Sequence, residues 1–272
     1  VREDDVPAQP PLVSPFKESA ILTVDGVGEW ETTTLGHAKG NKINISKTID
    51  FPHSLGLLYS TVTAHLGFSV NNSEYKVMGL APYGNMDKKT NPYYDKMKKV
   101  IDVKEDGSYK LVMDYFIYVY GNRMPSKKLC DLLGGPIRKG ESELEERHKD
   151  IAAALQMVLE EVVIKILNNV QKITKEENLV ISGGVALNSV MNGKILRNTA
   201  FKRVWAQPDP GDGGTSLGAA IYAYNTILGN KRVYTLDSPY LGPSYTDKEI
   251  KDFLDRSKIV YTEIKEDKKL VD

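Results

Sequence analysis

Short runs of apolar and threonine residues dominate the first fifty positions of the chain. The runs 20–24, 30–35 and 42–49 are separated by turns that contain glycine. Short runs of this kind, bounded by turn residues, are typical of neighbouring strands in an antiparallel sheet. The pattern therefore predicts a three-stranded meander that begins shortly after residue 16.

Helical periodicity is strongest in one long segment near the middle of the chain. Apolar residues recur every three or four positions from Ile151 to Ile173, which predicts a long amphipathic helix packed centrally in the domain. Ser142 and Glu145 precede it with the spacing of a capping box, so we expect the helix to begin after Ser142. Segment 85–125 is polar and rich in lysine, and it is predicted to be a peripheral insertion.

Two strand–turn–helix units follow this long helix in tandem. The apolar runs 179–181 and 203–206 each lead into a turn that contains glycines and then into a helical pattern. A glycine lets a ligand approach the backbone, and the free N–H groups of the next helical turn can bind a phosphate. The two turns therefore predict a nucleotide site, with Asp212 as a candidate metal ligand. The glycines of the two turns are Gly183, Gly184, Gly213 and Gly214.

An acidic turn follows the first predicted strand. Asp25 is joined there to Gly26 and Gly28, an arrangement that suits a magnesium-bound phosphate or an attacking water, and equally suits a plain tight turn. Lys76 precedes a compact Met-Gly-Leu-Ala segment and could reach a phosphate. The alternative for Lys76 is an ordinary solvated lysine.

Charge and cysteine content narrow the class of protein. The 272 residues include 36 Lys and Arg and 36 Asp and Glu, a balance that argues against binding to nucleic acid or to an anionic membrane. No apolar run is long enough to span a bilayer. Cys130 is the only cysteine, which excludes an intrachain disulfide and favours a reducing, cytoplasmic location. We interpret Cys130 as a small buried hydrophobic residue in a helix rather than as a nucleophile.

Five motifs, taken in order, are similar to those of one enzyme family. They are SPFKE at 14–18, LTVDGVGEW at 22–30, MGLAPYG at 78–84, SGGVALN at 182–188 and GDGG at 211–214. Together they resemble the nodulation-type O-carbamoyltransferases from about Leu12 to Tyr245. Because several independent motifs are in register, the resemblance is far more specific than any single glycine turn.

This resemblance implies an α/β domain of the actin, sugar kinase and Hsp70 ATPase type, which is ribonuclease H-like and akin to the tRNA threonylcarbamoyl-transferase. Its N-terminal lobe is expected to be incomplete in this chain. Residues 1–16 are then an irregular segment and residues 17–235 the carbamoyltransferase domain. Residues 236–272 are a linker and the start of a following domain.

The resemblance also implies a reaction. A second domain of the same polypeptide is expected to make carbamoyl adenylate from carbamoyl phosphate and ATP. The first domain then transfers the carbamoyl group to a hydroxyl of a small acceptor, with a divalent metal, iron or magnesium, near the phosphate. By resemblance Asp25 is catalytic and faces the phosphate and metal, and Asp212 ligates the metal. The implied nucleotide-binding residues are Gly26, Gly28, Lys76, Gly183, Gly184, Asn188, Gly213 and Gly214.

One departure from the family pattern bears on this expectation. The family has a histidine-rich motif with two metal-binding histidines just ahead of the SPF stretch, whereas residues 1–11 contain no histidine. We therefore expect weak metal binding and weak or no activity of this chain by itself. Two alternatives stay open: another nucleotide-binding enzyme of the same fold, such as a sugar kinase or a tRNA threonylcarbamoyl-transferase relative, and a non-catalytic binding fragment. A homodimer is also left open.

Overall fold

A computed structural model describes residues 10–265 of the chain. The chain divides into two compact units, one ending at Leu236 and the other beginning at Asp237. The strands are β1 (Glu18–Val24), β2 (Glu31–Lys39), β3 (Lys42–Asp50), β4 (Ile101–Val103), β5 (Tyr109–Leu111), β6 (Asn178–Ser182) and β7 (Arg203–Ala206). The α-helices are α1 (Pro10–Val13), α2 (Leu55–His65), α3 (Glu74–Leu80), α4 (Tyr94–Lys98), α5 (Lys127–Leu132), α6 (Glu146–Thr174), α7 (Ser189–Asn198), α8 (Thr215–Tyr222) and α9 (Asp247–Arg256).

A five-stranded mixed sheet organises the first unit. Its strand order is β3-β2-β1-β6-β7; β1, β2 and β3 pair antiparallel, and β6 is parallel to both β1 and β7. The predicted meander and the α/β class are confirmed. Because β1 and β6 are parallel, with Thr23 opposite Ser182, the turns that follow these two strands lie side by side.

The long helix α6 packs against this sheet, and its predicted apolar stripe is confirmed. Its side chains from Ile151 to Val170 form much of the buried core. The predicted capping box at Ser142 is wrong. Ser142 Oγ donates to the Lys139 carbonyl (2.7 Å), so that hydroxyl closes a loop, and Glu145 caps the helix in a box with His148 instead. Among residues 10–265, no helix combines the length and apolar composition needed to cross a membrane.

Segment 85–125 is not a peripheral insertion. Met97, Tyr109 and Phe116 are buried in the main core, and β4 pairs with β5 in an antiparallel hairpin. The Tyr109 hydroxyl hydrogen-bonds with Thr33 Oγ1 (2.8 Å) and accepts from the backbone N–H of Leu55 (3.2 Å). The lysines that gave this segment its polar composition are mostly on its exposed face.

Part of the segment predicted to be irregular, residues 1–16, is also ordered. Residues 10–13 form α1, and Leu12 and Val13 are buried. Arg232 fixes this region because its guanidinium donates to the carbonyls of Leu12 (3.1 Å) and Ser14 (2.9 Å). Residues 1–9 lie outside the described part of the chain. The same is true of residues 266–272, at the end of the predicted linker and following domain.

In the second unit, α9 begins with a capping box. Thr246 Oγ1 accepts from the N–H of Glu249 (3.3 Å), and the Glu249 carboxylate accepts from the N–H of Thr246 (2.7 Å). This start of the helix agrees with the sequence, in which Thr246 stands at a capping position.

Removing the Tyr109 hydroxyl tests whether 85–125 belongs to the core. Tyr109→Phe leaves the buried Thr33 hydroxyl and the Leu55 N–H without this partner, so we expect the free energy of unfolding to fall by about 1–3 kcal/mol. Urea unfolding measures the change. Tyr120→Phe is the matched control because Tyr120 is 78% exposed. Equal stability of the two variants would show that the segment is peripheral after all.

Candidate functional site

The turn after β6 lies directly against the end of β1. Gly183 has a φ of 89°, a left-handed conformation that side chains rarely adopt. A Cβ at Gly183 would also overlap the carbonyl group of Val24. Glycine is therefore required at this position by both conformation and space, and it brings the first glycine turn against the residue that follows Val24.

That following residue, Asp25, is held on several sides. Its Oδ1 accepts from the N–H of Gly26 (2.7 Å), and a Cβ at Gly184 would lie 2.9 Å from the same oxygen. Its backbone carbonyl accepts from Ser54 Oγ (2.8 Å) and from the N–H of Gly56 (3.3 Å). The start of α2 thus holds the Asp25 backbone, while the carboxylate lies against the first glycine turn.

Ser54 and Gly56 are site residues that the sequence analysis missed. Ser54 also caps α2, because its Oγ accepts from the N–H of Leu57 (2.9 Å). A Cβ at Gly56 would lie 2.6 Å from the Asp25 carbonyl oxygen. The available signal was a glycine two positions after a capping serine, since a glycine inside a helix often has a packing reason.

The second glycine turn packs on the first. Ser182 Oγ and the N–H of Gly183 both donate to the Pro210 carbonyl (3.0 and 2.8 Å). A Cβ at Gly211 would lie 3.9 Å from the Cα of Gly184. The structure therefore brings the two turns together, and with them Asp25 and Asp212.

The negative charges of these two aspartates affect each other. Burial raises the pKa of Asp25 above its ordinary value, the backbone N–H groups of Gly26 and Gly184 oppose this shift, and the negative charge of Asp212 raises the pKa further. Two neighbouring carboxylates repel each other when both are ionised. A bound cation would offset that repulsion, and carboxylate oxygens are the donors that magnesium prefers. The residues present thus fit a divalent cation.

Gly213 and Gly214 have a role in packing within their own turn. A Cβ at Gly213 would overlap the carboxylate of Asp209, and one at Gly214 would overlap the Asp209 carbonyl and the Gln207 amide. Asp209 is a further residue of this turn that sequence reasoning did not single out. The space that a side chain would need at either glycine is therefore already occupied by Asp209 and Gln207.

The Asn188 side chain makes hydrogen bonds within the protein. It is 8% exposed, and its Oδ1 accepts from the N–H of Met191 (2.9 Å) as the cap of α7. Its amide also exchanges hydrogen bonds with Gln156 of α6, at 2.9 and 3.1 Å. Asn188 thus positions the helix after the first glycine turn, a role different from the predicted nucleotide contact.

Lys76 lies on the exposed side of α3. Within residues 10–265, no hydrogen bond or ion pair joins its side chain to Asp25 or to either glycine turn. Its helix does approach the start of α7, where Ser189 Oγ lies 3.9 Å from Met78 Sδ. The structure therefore does not gather Lys76 with the other predicted site residues.

A different group of metal-capable side chains lies at the opposite end of the sheet. Ligand atoms of Glu18, His37 and Glu176 are within 4.8 Å of one another. His37 Nε2 already pairs with Glu176 Oε1 (3.0 Å), and Lys39 pairs with Glu18 (2.8 Å). Glu18 begins β1 whereas Asp25 follows its end, so about 23 Å of extended strand separates the two locations.

Comparison with known proteins identifies the family. The family described as "Carbamoyltransferase N-terminus" matches residues 10–221. An uncharacterized protein of Synechocystis is 46% identical over 246 residues, which are 89% of this chain and 39% of that protein. Nodulation protein NolNO of Sinorhizobium fredii is 33% identical over 231 residues, 85% of this chain and 32% of that protein. Nodulation protein NolO of Bradyrhizobium diazoefficiens is 30% identical over 239 residues, 87% of this chain and 40% of that protein.

The extent of these matches decides what they establish. The chain spans about a third to two fifths of the length of the relatives it matches. The family match nevertheless includes both glycine turns and Asp25, and the resemblance found in the sequence motifs is confirmed at the level of the family. The chain belongs to the carbamoyltransferase family, and residues 10–221 are its N-terminal region.

Proposed function

We propose that this domain is the transfer domain of an O-carbamoyltransferase, which moves a carbamoyl group from carbamoyl adenylate to a hydroxyl of a small molecule. The observation that carries the proposal is the junction of Asp25 with Gly184 and Gly211. Backbone without side chains meets the half-buried carboxylate of Asp25 there, beside the exposed carboxylate of Asp212. Such a surface suits a phosphate-bearing ligand accompanied by a cation.

The proposal includes the fold type. We infer an actin, sugar kinase and Hsp70 ATPase-like arrangement around the mixed sheet. The antiparallel meander of β1 to β3 followed by the parallel strands β6 and β7 supports it. In such open sheets, ligands bind at the carboxyl ends of parallel strands, and Asp25 and the first glycine turn follow the carboxyl ends of β1 and β6.

Asp25 and Asp212 would hold the divalent cation. Both offer carboxylate oxygens, which suit magnesium and also serve iron. A bound cation offsets the negative charge of a phosphate leaving group. The chain's own contribution is to hold Asp25: the N–H of Gly26 donates to its carboxylate, and Ser54 and Gly56 donate to its backbone carbonyl.

The reaction that we propose breaks one bond and forms one. The acceptor oxygen attacks the carbamoyl carbon, and the bond from that carbon to the adenylate phosphate breaks. AMP leaves with the electron pair, and the hydroxyl proton passes to a base. Binding both the acceptor and the adenylate makes a bimolecular step effectively unimolecular, so positioning supplies much of the rate acceleration.

The adenylate would come from a second, adenylate-forming domain of the same polypeptide, fed by carbamoyl phosphate and ATP. The greater length of the relatives leaves room for such a domain. A sugar kinase or a tRNA-modifying enzyme is disfavoured by the family match. A non-catalytic binding fragment is the alternative that the following experiments address.

The charge of Asp25 gives the first prediction. Since burial and Asp212 raise its pKa, ionised Asp25 destabilises the fold at neutral pH, and this penalty is relieved as pH falls through the raised pKa. Asp25→Asn keeps the oxygen that accepts from Gly26, so we expect its melting temperature to exceed that of wild type by a few degrees at pH 7. The difference should vanish below the ordinary aspartate pKa of about 3.9. Equal melting temperatures at pH 7 would contradict the assigned environment.

Asp212→Asn tests the second carboxylate. In the intact protein we expect carbamoyl transfer to fall by about a hundredfold or more, because a cation that stabilises the leaving group by several kcal/mol is lost. Thermal stability should not fall, since Asp212 is exposed. Titration with Mn²⁺, followed by electron paramagnetic resonance, should show weaker binding. Asp95→Asn, an exposed aspartate of α4, is the control, and parallel losses of stability and activity would indicate a structural aspartate.

Gly184→Val tests the first glycine turn. A branched side chain there meets the Asp25 carboxylate, since Cβ alone would be 2.9 Å from Oδ1. We expect ATP affinity to fall by at least about tenfold, or about 1.4 kcal/mol, in a calorimetric titration with and without magnesium. Gly193→Val is the control because a Cβ at Gly193 meets nothing within 4 Å. Wild-type affinity in Gly184→Val would refute the site.

A further inference from the structure

A second group of polar side chains lies where three helices end or begin. His65 ends α2, and Arg147 and His148 are in the first turn of α6. The loop after α5 joins them, because the N–H of Arg138 donates to the His65 carbonyl (2.9 Å). A Cβ at Gly135 in the same loop would lie 3.2 Å from the Arg147 guanidinium carbon. We call His65, Arg147 and His148 the helix-junction cluster.

Each member of the helix-junction cluster has a buried nitrogen without a hydrogen-bond partner. The atoms are His65 Nε2, Arg147 Nη1 and His148 Nε2, and none has an acceptor among the residues that the structure describes. His65 is fully buried and His148 is 2% exposed. Buried polar atoms are almost always hydrogen-bonded, so three in one place need a common explanation.

Two of these nitrogens are fixed as donors, and the third depends on the tautomer of His65. His148 Nδ1 accepts from the N–H of Glu145 (2.9 Å), so the proton of the neutral ring is on Nε2. His65 Nδ1 lies 3.7 Å from Cys130 Sγ, and the tautomer of the imidazole decides which of the two groups donates. Arg147 Nη1 is always a donor. The cluster therefore presents two fixed N–H donors, and a third when the His65 proton is on Nε2.

The charges around the cluster are mainly positive. Burial lowers the pKa of the His148 imidazole, the positive charges of Arg147 and Arg138 lower it further, and the Glu145 carboxylate opposes them. That carboxylate accepts from Arg147 Nε (3.1 Å), which leaves Nη1 directed inward. Burial, followed by the charge of Arg147, lowers the pKa of His65 to about 4. The imidazoles are therefore neutral at pH 7, and the arginines supply the positive charge.

We propose that the helix-junction cluster binds a small tetrahedral oxyanion, phosphate or sulfate. One water molecule has two acceptor lone pairs, which Arg147 and His148 alone would fill, whereas an oxyanion has an acceptor for each of them and for His65 in its Nε2–H tautomer. A charged guanidinium also favours an anion over a neutral molecule. The Arg147 side chain is 24% exposed, which provides a route from the surface.

This location is separate from the Asp25 site. Ser54, which holds Asp25, precedes α2, and His65 ends that helix eleven residues later. A rise of 1.5 Å per residue places the two ends about 16 Å apart. The oxyanion proposal therefore does not depend on the proposed carbamoyl transfer.

Thermal unfolding of the 272-residue chain tests the proposal. We expect sodium phosphate or sulfate, but not sodium chloride or acetate at equal ionic strength, to raise the melting temperature by about 3–5 °C at ten times the dissociation constant. Arg147→Gln should lose this rise. Arg123→Gln, at an exposed loop position, and Gly184→Val, in the first glycine turn, should both keep it.

The four histidines of the chain provide a second readout that tolerates a change in stability. Titration with phosphate should move the imidazole NMR signals of His65 and His148 and leave those of His37 and His53 in place, with His→Gln variants giving the assignments. Equal shifts of all four signals would overturn the proposal. An equal rise in melting temperature for wild type and Arg147→Gln would do so as well, and so would a failure of phosphate and sulfate to stabilise wild type.

Discussion

The contact between Gly183 and the Val24 carbonyl fixes the geometry of the candidate site. Parallel pairing of β1 with β6 brings the two strand ends together. Only a residue without Cβ, Gly183 at a φ of 89°, lets the backbone that leaves β6 turn across the end of β1. Gly184 then lies against the Asp25 carboxylate, and Gly211 lies against Gly184. Every ligand contact proposed for the Asp25 site depends on this one close approach of backbone.

Helix α6 supports this junction from the other side. Its core-facing residues pack on the sheet, and Gln156 reaches from it to Asn188 at the start of α7. The same Gln156 accepts from the Tyr59 hydroxyl of α2 (3.1 Å) and donates to Glu160 (2.9 Å). A buried polar network of this kind specifies one arrangement of three helices, because any shift leaves an amide unsatisfied.

Much of this fold could be predicted from sequence because its signals are local. The meander, the stripe of α6 and the two glycine turns each depend on residues close together in the chain. The prediction failed where partners are distant. Tyr109 is fixed by Thr33 and Leu55, and no local pattern reveals that its polar segment covers the core.

The residues of the candidate site also divide into those that local sequence signals reveal and those that they do not. The glycine turns and their aspartates were found because glycine at a strand end is a strong local signal, although the catalytic and metal roles themselves stay predictions. Ser54 and Gly56 were missed because their role arises from contact with Asp25, about thirty positions earlier. Asn188 shows the reverse case: it stands in the motif, its amide is bonded to Gln156 and to its own helix, and the nucleotide contact stays a prediction.

The same helices connect the two polar locations of the first unit. α2 holds Asp25 at its start and ends at His65, while α6 starts with Arg147 and His148 and reaches Asn188 through Gln156. Both helices are buried along most of their length, so each moves as a rigid element. Coupling between the helix-junction cluster and Asp25 therefore requires an anion that favours one arrangement of these helices over another.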